Sequence, residues 1–426
     1  MLPLPRQLLL RQRLVDRALP DPAAEIQSRL ATLDGEDWAD RSVAVGIGSR
    51  GIDRIALVAR TVVGWLQDRG ARPFIMPAMG SHGGGTAAGQ IALLGSYGIT
   101  EAEVGAPVVA DMSTELLGST ESGVPVHTSH VALSAAAVVL VNRVKPHTDF
   151  SSTEVGSGLR KMCAIGLGKE SGAVASHLAA SRFGHGRVIP EVARVVAARL
   201  PRLYGVALVE DGTHRLARVE VLRGNQFEAE EPALFKLAWE WMPALPFPEV
   251  DLLIVDEIGK DISGAGMDTN IIGRGVDLMP MVNRRSTVRA IYARTLTPAS
   301  HGNAVGIGLA DVVSSRLVAQ MDPHVSYTNA LSAMTPATVR ISINFPTDEA
   351  CVRAALRVAG VDSERARILR IRNTLNVAHV VASEAYAQDV SGRDDLTVLV
   401  PGSAWSFGPD GNFDAATDLF AVASAA

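Results

Sequence analysis

Short apolar runs that end in glycine-rich turns alternate with longer amphipathic stretches, and this alternation limits the chain to an α/β architecture. Residues 42–48 (SVAVGIG) read as a buried strand, 53–69 as an amphipathic helix, 73–78 as a second strand and 86–97 as a second helix. Such a rhythm implies parallel strands, because a crossover helix is what returns the chain to the same end of a sheet. A further buried strand is expected over 135–141, a helix over 187–199, a pair of strands over 203–210 and 215–222, and an aromatic-rich helix over 231–241. Pro243, Pro246 and Pro248 then fall within six residues, where neither a helix nor a central strand persists. A boundary there gives an N-terminal α/β domain, 1–248, and a C-terminal α/β domain, 249–426. The second repeats the pattern: strands over 251–256 and 287–293, helices over 304–321 and 348–358, and strands over 368–371, 377–382 and 396–400. The expected whole is two α/β domains with mainly parallel sheets and an active-site cleft between them.

Composition narrows the function classes. With 426 residues, 47% of them hydrophobic and 20% charged, the chain buries a large core. A net charge of −5 without a basic block argues against nucleic acid or a membrane surface as partner. Cys163 and Cys351 alone make no disulfide framework or thiolate cluster. No stretch reaches the ~20 apolar residues of a membrane span, so a cytoplasmic location is expected.

Open α/β sheets bind ligands at the carboxyl ends of their strands, and the glycine-rich turns fall there. GIGSRGI, 46–52, offers backbone amides and the fork of Arg50 to a phosphate or carboxylate. MGSHGGGT, 79–86, sets His82 among four glycines just before a helix that Thr86 is suited to cap. From Val144 to His177 the chain reads VKPHTDFSSTEVGSGLRKMCAIGLGKESGAVASH, a stretch with two histidines, three lysines and little hydrophobic periodicity. Glycines at that density mark close approach of backbone to a ligand or a long connecting loop. Residue by residue the reading stays open: Lys161 fits a solvated lysine, with Arg160 and Lys169 as equally anonymous neighbours, and His177 fits a core histidine. ASHGNAVGIGLADV, 299–312, places His301 and Asn303 before a further expected helix.

Taken in order, strand then SRG, strand then GSHGG, strand then KPH, GSGLRK, a histidine sixteen residues past that lysine and HGNAVGIGLADV resemble the nickel-dependent lactate racemase family over roughly residues 40 to 400. The resemblance implies a nickel pincer nucleotide, a pyridinium mononucleotide with two sulfur donors, joined through a thioamide to Lys161. It makes His177 the imidazole ligand of the nickel, which suits a near-planar site, and His82 and His147 the acid/base pair. It puts Ser49, Arg50 and Gly158 at the cofactor and Arg50, Thr269, Asn270 and His301 at the substrate. The implied partners are a small-molecule 2-hydroxy acid and the enzymes that synthesise the cofactor.

The chemistry explains the pair of histidines. The C–H of a 2-hydroxy acid is too weakly acidic for an imidazole of ordinary pKa, about 6.5, to remove as a proton. In the family mechanism hydride transfer replaces that step, one histidine takes the hydroxyl proton, and return of the hydride to the other face inverts the centre. Two departures from the lactate enzymes bear on substrate. Thr269 stands where they carry glutamine, and HTDFSSTEVG adds Asp149, Ser151, Ser152, Thr153 and Glu154. Both suggest a larger or more hydroxylated acid. The alternatives are a nickel-nucleotide carrier without turnover, and a metal-dependent hydrolase or lyase using His82, His147 and Asp149.

Overall fold

The computed structural model describes residues 3–49, 51–200 and 202–423. The chain divides into two compact units. The first takes Val15–His147 and Ser152–Met242; the second takes the N-terminal residues through Leu14, the segment Thr148–Ser151 and the chain from Pro243 onward. The first strand, β1 (Gln7–Gln12), belongs to the second unit and is described with it.

In the first unit, β2 (Ser42–Ile47), β3 (Arg72–Pro77), β6 (Ala137–Arg143), β7 (Leu203–Glu210) and β8 (Leu216–Arg223) form a five-stranded sheet, while β4 (Thr114–Ser119) and β5 (Pro125–Ser129) pair as a separate antiparallel hairpin. The sheet order is β3-β2-β6-β7-β8; the first four strands are parallel and β8 runs antiparallel to β7. The apolar run of β2 is buried on both faces, as a central parallel strand requires. Between β2 and β3 runs the helix Ile55–Gln67, whose buried Ile55, Val58, Ala59, Val62, Val63 and Leu66 repeat at helical spacing. Each fully buried aliphatic side chain contributes about 1.5–3 kcal/mol relative to exposure. Trp38 closes the same core, its ring 5.8 Å from Trp65 and 5.2 Å from Tyr204.

The chain leaves β2 toward β3 on one side and returns to β6 on the other. The connections from β2 and β6 therefore diverge, and their carboxyl ends open the crevice in which such sheets hold ligands.

The second unit holds an eight-stranded sheet. Its strands are β9 (Glu249–Ile258), β10 (Thr287–Leu296), β11 (Val312–Ser314), β12 (Ile343–Phe345), β13 (Ile368–Ile371), β14 (His379–Ser383), β15 (Leu396–Ser403) and β1, in the order β12-β11-β10-β9-β13-β14-β1-β15. The first five are parallel and the last three antiparallel. Two expectations need correction. Residues 1–248 are not one domain: β1, with Leu8, Leu9 and Leu10 buried, lies between β14 and β15. Nor is 304–321 one helix; it is a turn at Ile307–Leu309, strand β11 and a short helix Ser315–Gln320. Gly308 lies so close to Ala337 that a Cβ would stand 2.0 Å from its carbonyl oxygen, and Val312 and Val313 pair with β10 as β-branched residues favour.

Candidate active site

Three turns meet the crevice of the first unit. The turn after β2 carries Ser49; Arg50, expected at both cofactor and substrate, lies outside the described residues. The turn after β3 carries His82, and β6 leads through Val144, Lys145 and Pro146 to His147. Ser49 Oγ and His82 Nδ1 are hydrogen-bonded, and Tyr97 donates its hydroxyl to the Ser49 carbonyl at 2.6 Å.

The His82 turn is built to hold one shape. Gly83, Gly84 and Gly85 all take φ between 65° and 69°, a region that side chains avoid. Thr86 caps the helix Ala87–Ser96 by accepting from Gly89 N at 3.1 Å, as its type and place suggested. Beneath the turn, buried Gln90 donates to the carbonyls of Gly80 (2.8 Å) and His82 (3.3 Å) and accepts from Lys169 Nζ (3.1 Å). Lys169 also donates to the Pro77 carbonyl at 2.6 Å. It is fully buried rather than a solvated neighbour, and burial pulls its ammonium down to about 8.

Lys161 is fixed from below. Lys145 and Ser157 exchange backbone hydrogen bonds of 3.1 and 2.8 Å, which brings the segment after β6 alongside the glycines before Lys161. The Gly158 carbonyl accepts from Asn142 Nδ2 at 3.1 Å. Glu231 then gathers the first turn of the helix Leu159–Lys161: its carboxylate accepts from Leu159 N, from Arg160 N at 3.1 Å and from Arg160 Nε at 2.8 Å. Arg160 is thus a buried structural cation, not a surface one. Burial raises the Glu231 carboxyl against the opposing pull of Arg160. A π-helical turn, Met162–Gly166, follows directly, a form concentrated at functional sites. Cys163 within it is buried, its thiol pushed up by desolvation, so it serves packing. The outcome is that Lys161 Nζ lies 2.7 Å from His147 Nε2.

His177 sits on the helix Lys169–Phe183. Gly184 (φ 80°) turns the chain into the helix His185–Arg199, and His185 Nε2 comes within 3.4 Å of His177 Nδ1. Sequence reading missed His185, for which the pair of helical patterns broken by FGHG was the available signal.

The remaining candidates belong to the second unit. Asp268 accepts from Asn270 N and Nδ2, each at 2.9 Å, and its own N–H donates to Thr374 Oγ1 at 2.9 Å. Thr269 is fully buried and donates to the Thr148 carbonyl at 2.6 Å. The space expected from a residue shorter than glutamine is therefore taken up by the 148–151 segment. Ser151 Oγ accepts from Val282 N at 2.8 Å, while in the first unit Ser152 Oγ accepts from Glu154 N and Val155 N, so these added hydroxyls hold backbone. His301 is exposed, in a left-handed conformation (φ 48°) after the turn Pro298–Ser300.

No protein-family model matches the sequence, and a search of curated proteins finds no match. Among solved structures the chain is similar to the lactate racemase apoprotein from Thermoanaerobacterium thermosaccharolyticum, with a TM-score of 0.50 and 14% sequence identity over 86% of this chain and 94% of that one. The two share a fold. That fold is the two-domain, mixed α/β arrangement expected from the sequence, with largely parallel sheets.

A nickel pincer nucleotide asks three things of a protein: a lysine amine for attachment, an imidazole for the metal and a crevice for the nucleotide. The first unit offers Lys161, held by a buried ion pair, and His177 with His185 beside it. Among the described residues no group of three His, Cys, Asp or Glu side chains is placed to hold a metal ion. Among the described residues no helix is long and apolar enough to cross a membrane.

Proposed function

We propose that the protein is a racemase or epimerase of a 2-hydroxy acid, working with a nickel pincer nucleotide attached to Lys161 and ligated through His177. The observation that carries this reading is the meeting of Lys161 Nζ with His147 Nε2 at 2.7 Å, with the Ser49–His82 pair on the neighbouring turns of the same sheet. The bound cofactor supplies the acceptor and donor of a hydride. His82 and His147 manage the hydroxyl proton: one takes it from the first enantiomer, and the other returns a proton to the product of opposite hand. Ser49 at Nδ1 fixes the orientation of the His82 ring. Gln90 and Lys169 hold the turn that presents it.

The test is peptide mass spectrometry with nickel analysis on protein made in cells that also make the cofactor. A nucleotide-sized adduct on the Lys161 peptide, one nickel per chain and inversion of a 2-hydroxy acid in a panel from lactate to longer hydroxylated acids are expected. An unmodified Lys161 under those conditions defeats the reading.

A further inference from the structure

We propose that Tyr97 is a positioning residue: by holding the Ser49 backbone it sets the Ser49 hydroxyl against His82, and through that contact it orients the imidazole. The inference rests on the function proposed above only for the acid/base role of His82.

Tyr97 ends the helix Ala87–Ser96, and its backbone N–H donates to the carbonyls of Leu94 and Gly95. Gly98 follows with φ 74°, the left-handed residue that commonly closes a helix, and Ile99 N returns to the Leu94 carbonyl at 3.0 Å. This ending fixes the backbone from which the phenol extends. A Cβ at Gly98 would stand 3.6 Å from Ala56 Cβ, so the same ending lies against the helix Ile55–Gln67, which begins just after the Ser49 turn. The Tyr97 hydroxyl thereby reaches the Ser49 carbonyl at 2.6 Å. The direction of this bond is settled by its chemistry, because a carbonyl oxygen only accepts.

At its other end the helix grips the His82 turn. Thr86 caps it, and Gln90, one turn in, donates to the carbonyls of Gly80 and His82. One rigid element therefore touches both turns, with its first residues at His82 and its last at Ser49. The Ser49 turn is open on its far side: around Gly51, chain neighbours aside, no described atom lies within 4 Å of the place a Cβ would take. Anchoring the carbonyl limits the backbone rotation of Ser49, and among its staggered rotamers keeps the one that meets His82 Nδ1. A proton-transfer group held in one orientation reacts faster than one that swings.

Tyr97→Phe and Ser49→Ala each delete a hydroxyl and nothing else, and His324, exposed on the helix Pro323–Ser332, serves as an internal reference. Full-length nucleotide-free protein is treated with diethyl pyrocarbonate, and modification of the His82 and His324 peptides is followed by mass spectrometry. Each substitution is expected to change the ratio of the two rates by about fivefold and in the same direction, as loss of one orienting hydrogen bond does. The double variant is expected to change it by about fivefold too, not by the ~25-fold of independent effects. In protein whose Lys161 carries the nucleotide, kcat should follow the same pattern with KM unchanged. A His82 rate untouched by either substitution overturns the proposal. So does a double variant in which the two effects multiply, because a residue that merely stabilises the fold acts independently of Ser49. If labelling follows the coupled pattern while nucleotide-bearing protein inverts no 2-hydroxy acid, the positioning role stands and the racemase reading falls.

Discussion

Arg160 and Glu231 face each other inside the first unit, Nε to Oε1 at 2.8 Å, with 3% and 2% of their surfaces exposed. Removing the carboxylate leaves a guanidinium buried and unpaired. Glu231→Ala should cost about 3–5 kcal/mol in urea unfolding, and the double change Arg160→Met with Glu231→Leu should cost less than the single one. Equal losses in the two would show that the ion pair is not what holds this turn.

Lys169 gives a pH signature. Burial lowers its folded pKa to about 8, whereas the unfolded amine titrates near 10.4. Between those values the unfolded chain binds more protons, so stability rises with pH from about 8 toward 10 as the folded amine becomes neutral. Above about 10 the buried Tyr292 and Tyr386, with raised pKa values, oppose the trend. Lys169→Met should remove a rise of roughly 2 kcal/mol between pH 7.5 and 9.5, read by denaturant titration at those two values.

His82→Gln should lower kcat for 2-hydroxy-acid inversion by about 10²–10⁴-fold in protein whose Lys161 is fully modified. Ser49→Ala loses one orienting hydrogen bond of about 1 kcal/mol, or roughly fivefold in kcat, with KM unchanged. A shift confined to KM would place His82 in binding rather than proton transfer.

Gly156 has no room for a methyl group: a Cβ there would stand 2.2 Å from the Lys145 carbonyl oxygen and 2.6 Å from the Phe235 ring. Gly156→Ala should part Lys145 from Ser157 and draw Lys161 away from His147. Urea unfolding should show a stability cost of about 1–3 kcal/mol, and the share of Lys161 carrying the nucleotide in cofactor-making cells should fall. At Gly35 nothing lies within 4 Å, so alanine there should change stability by less than about 0.5 kcal/mol.

The central strands were legible because their burial is written as continuous apolar runs: β2, β7, β9 and β13 follow the expected positions to within a few residues. The hairpin β4–β5 was not, since the pattern TELLGS leaves most of β4 exposed and offers no alternation. The strand β11 hid inside a pattern that reads as a helix until Gly308 is seen against Ala337. At the site, sequence pointed to His82, His147 and Lys161 through their glycine-rich turns. The partners that hold them, Gln90, Lys169 and Glu231, lie on distant segments whose role appears only on folding. Lys169 was the plainest misreading, because nothing local distinguishes a buried lysine from a solvated one.

The position of β1 also sets an order in time. Residues 7–12 are synthesised before the strands on either side of them, β14 and β15, from which some 370 and 385 residues of chain separate them. The nascent chain must carry an apolar strand without its partners while that intervening stretch is made. The sheet closes around a strand made long before its neighbours, so a ribosome that stops short of residue 403 releases a chain in which β1 has an open edge.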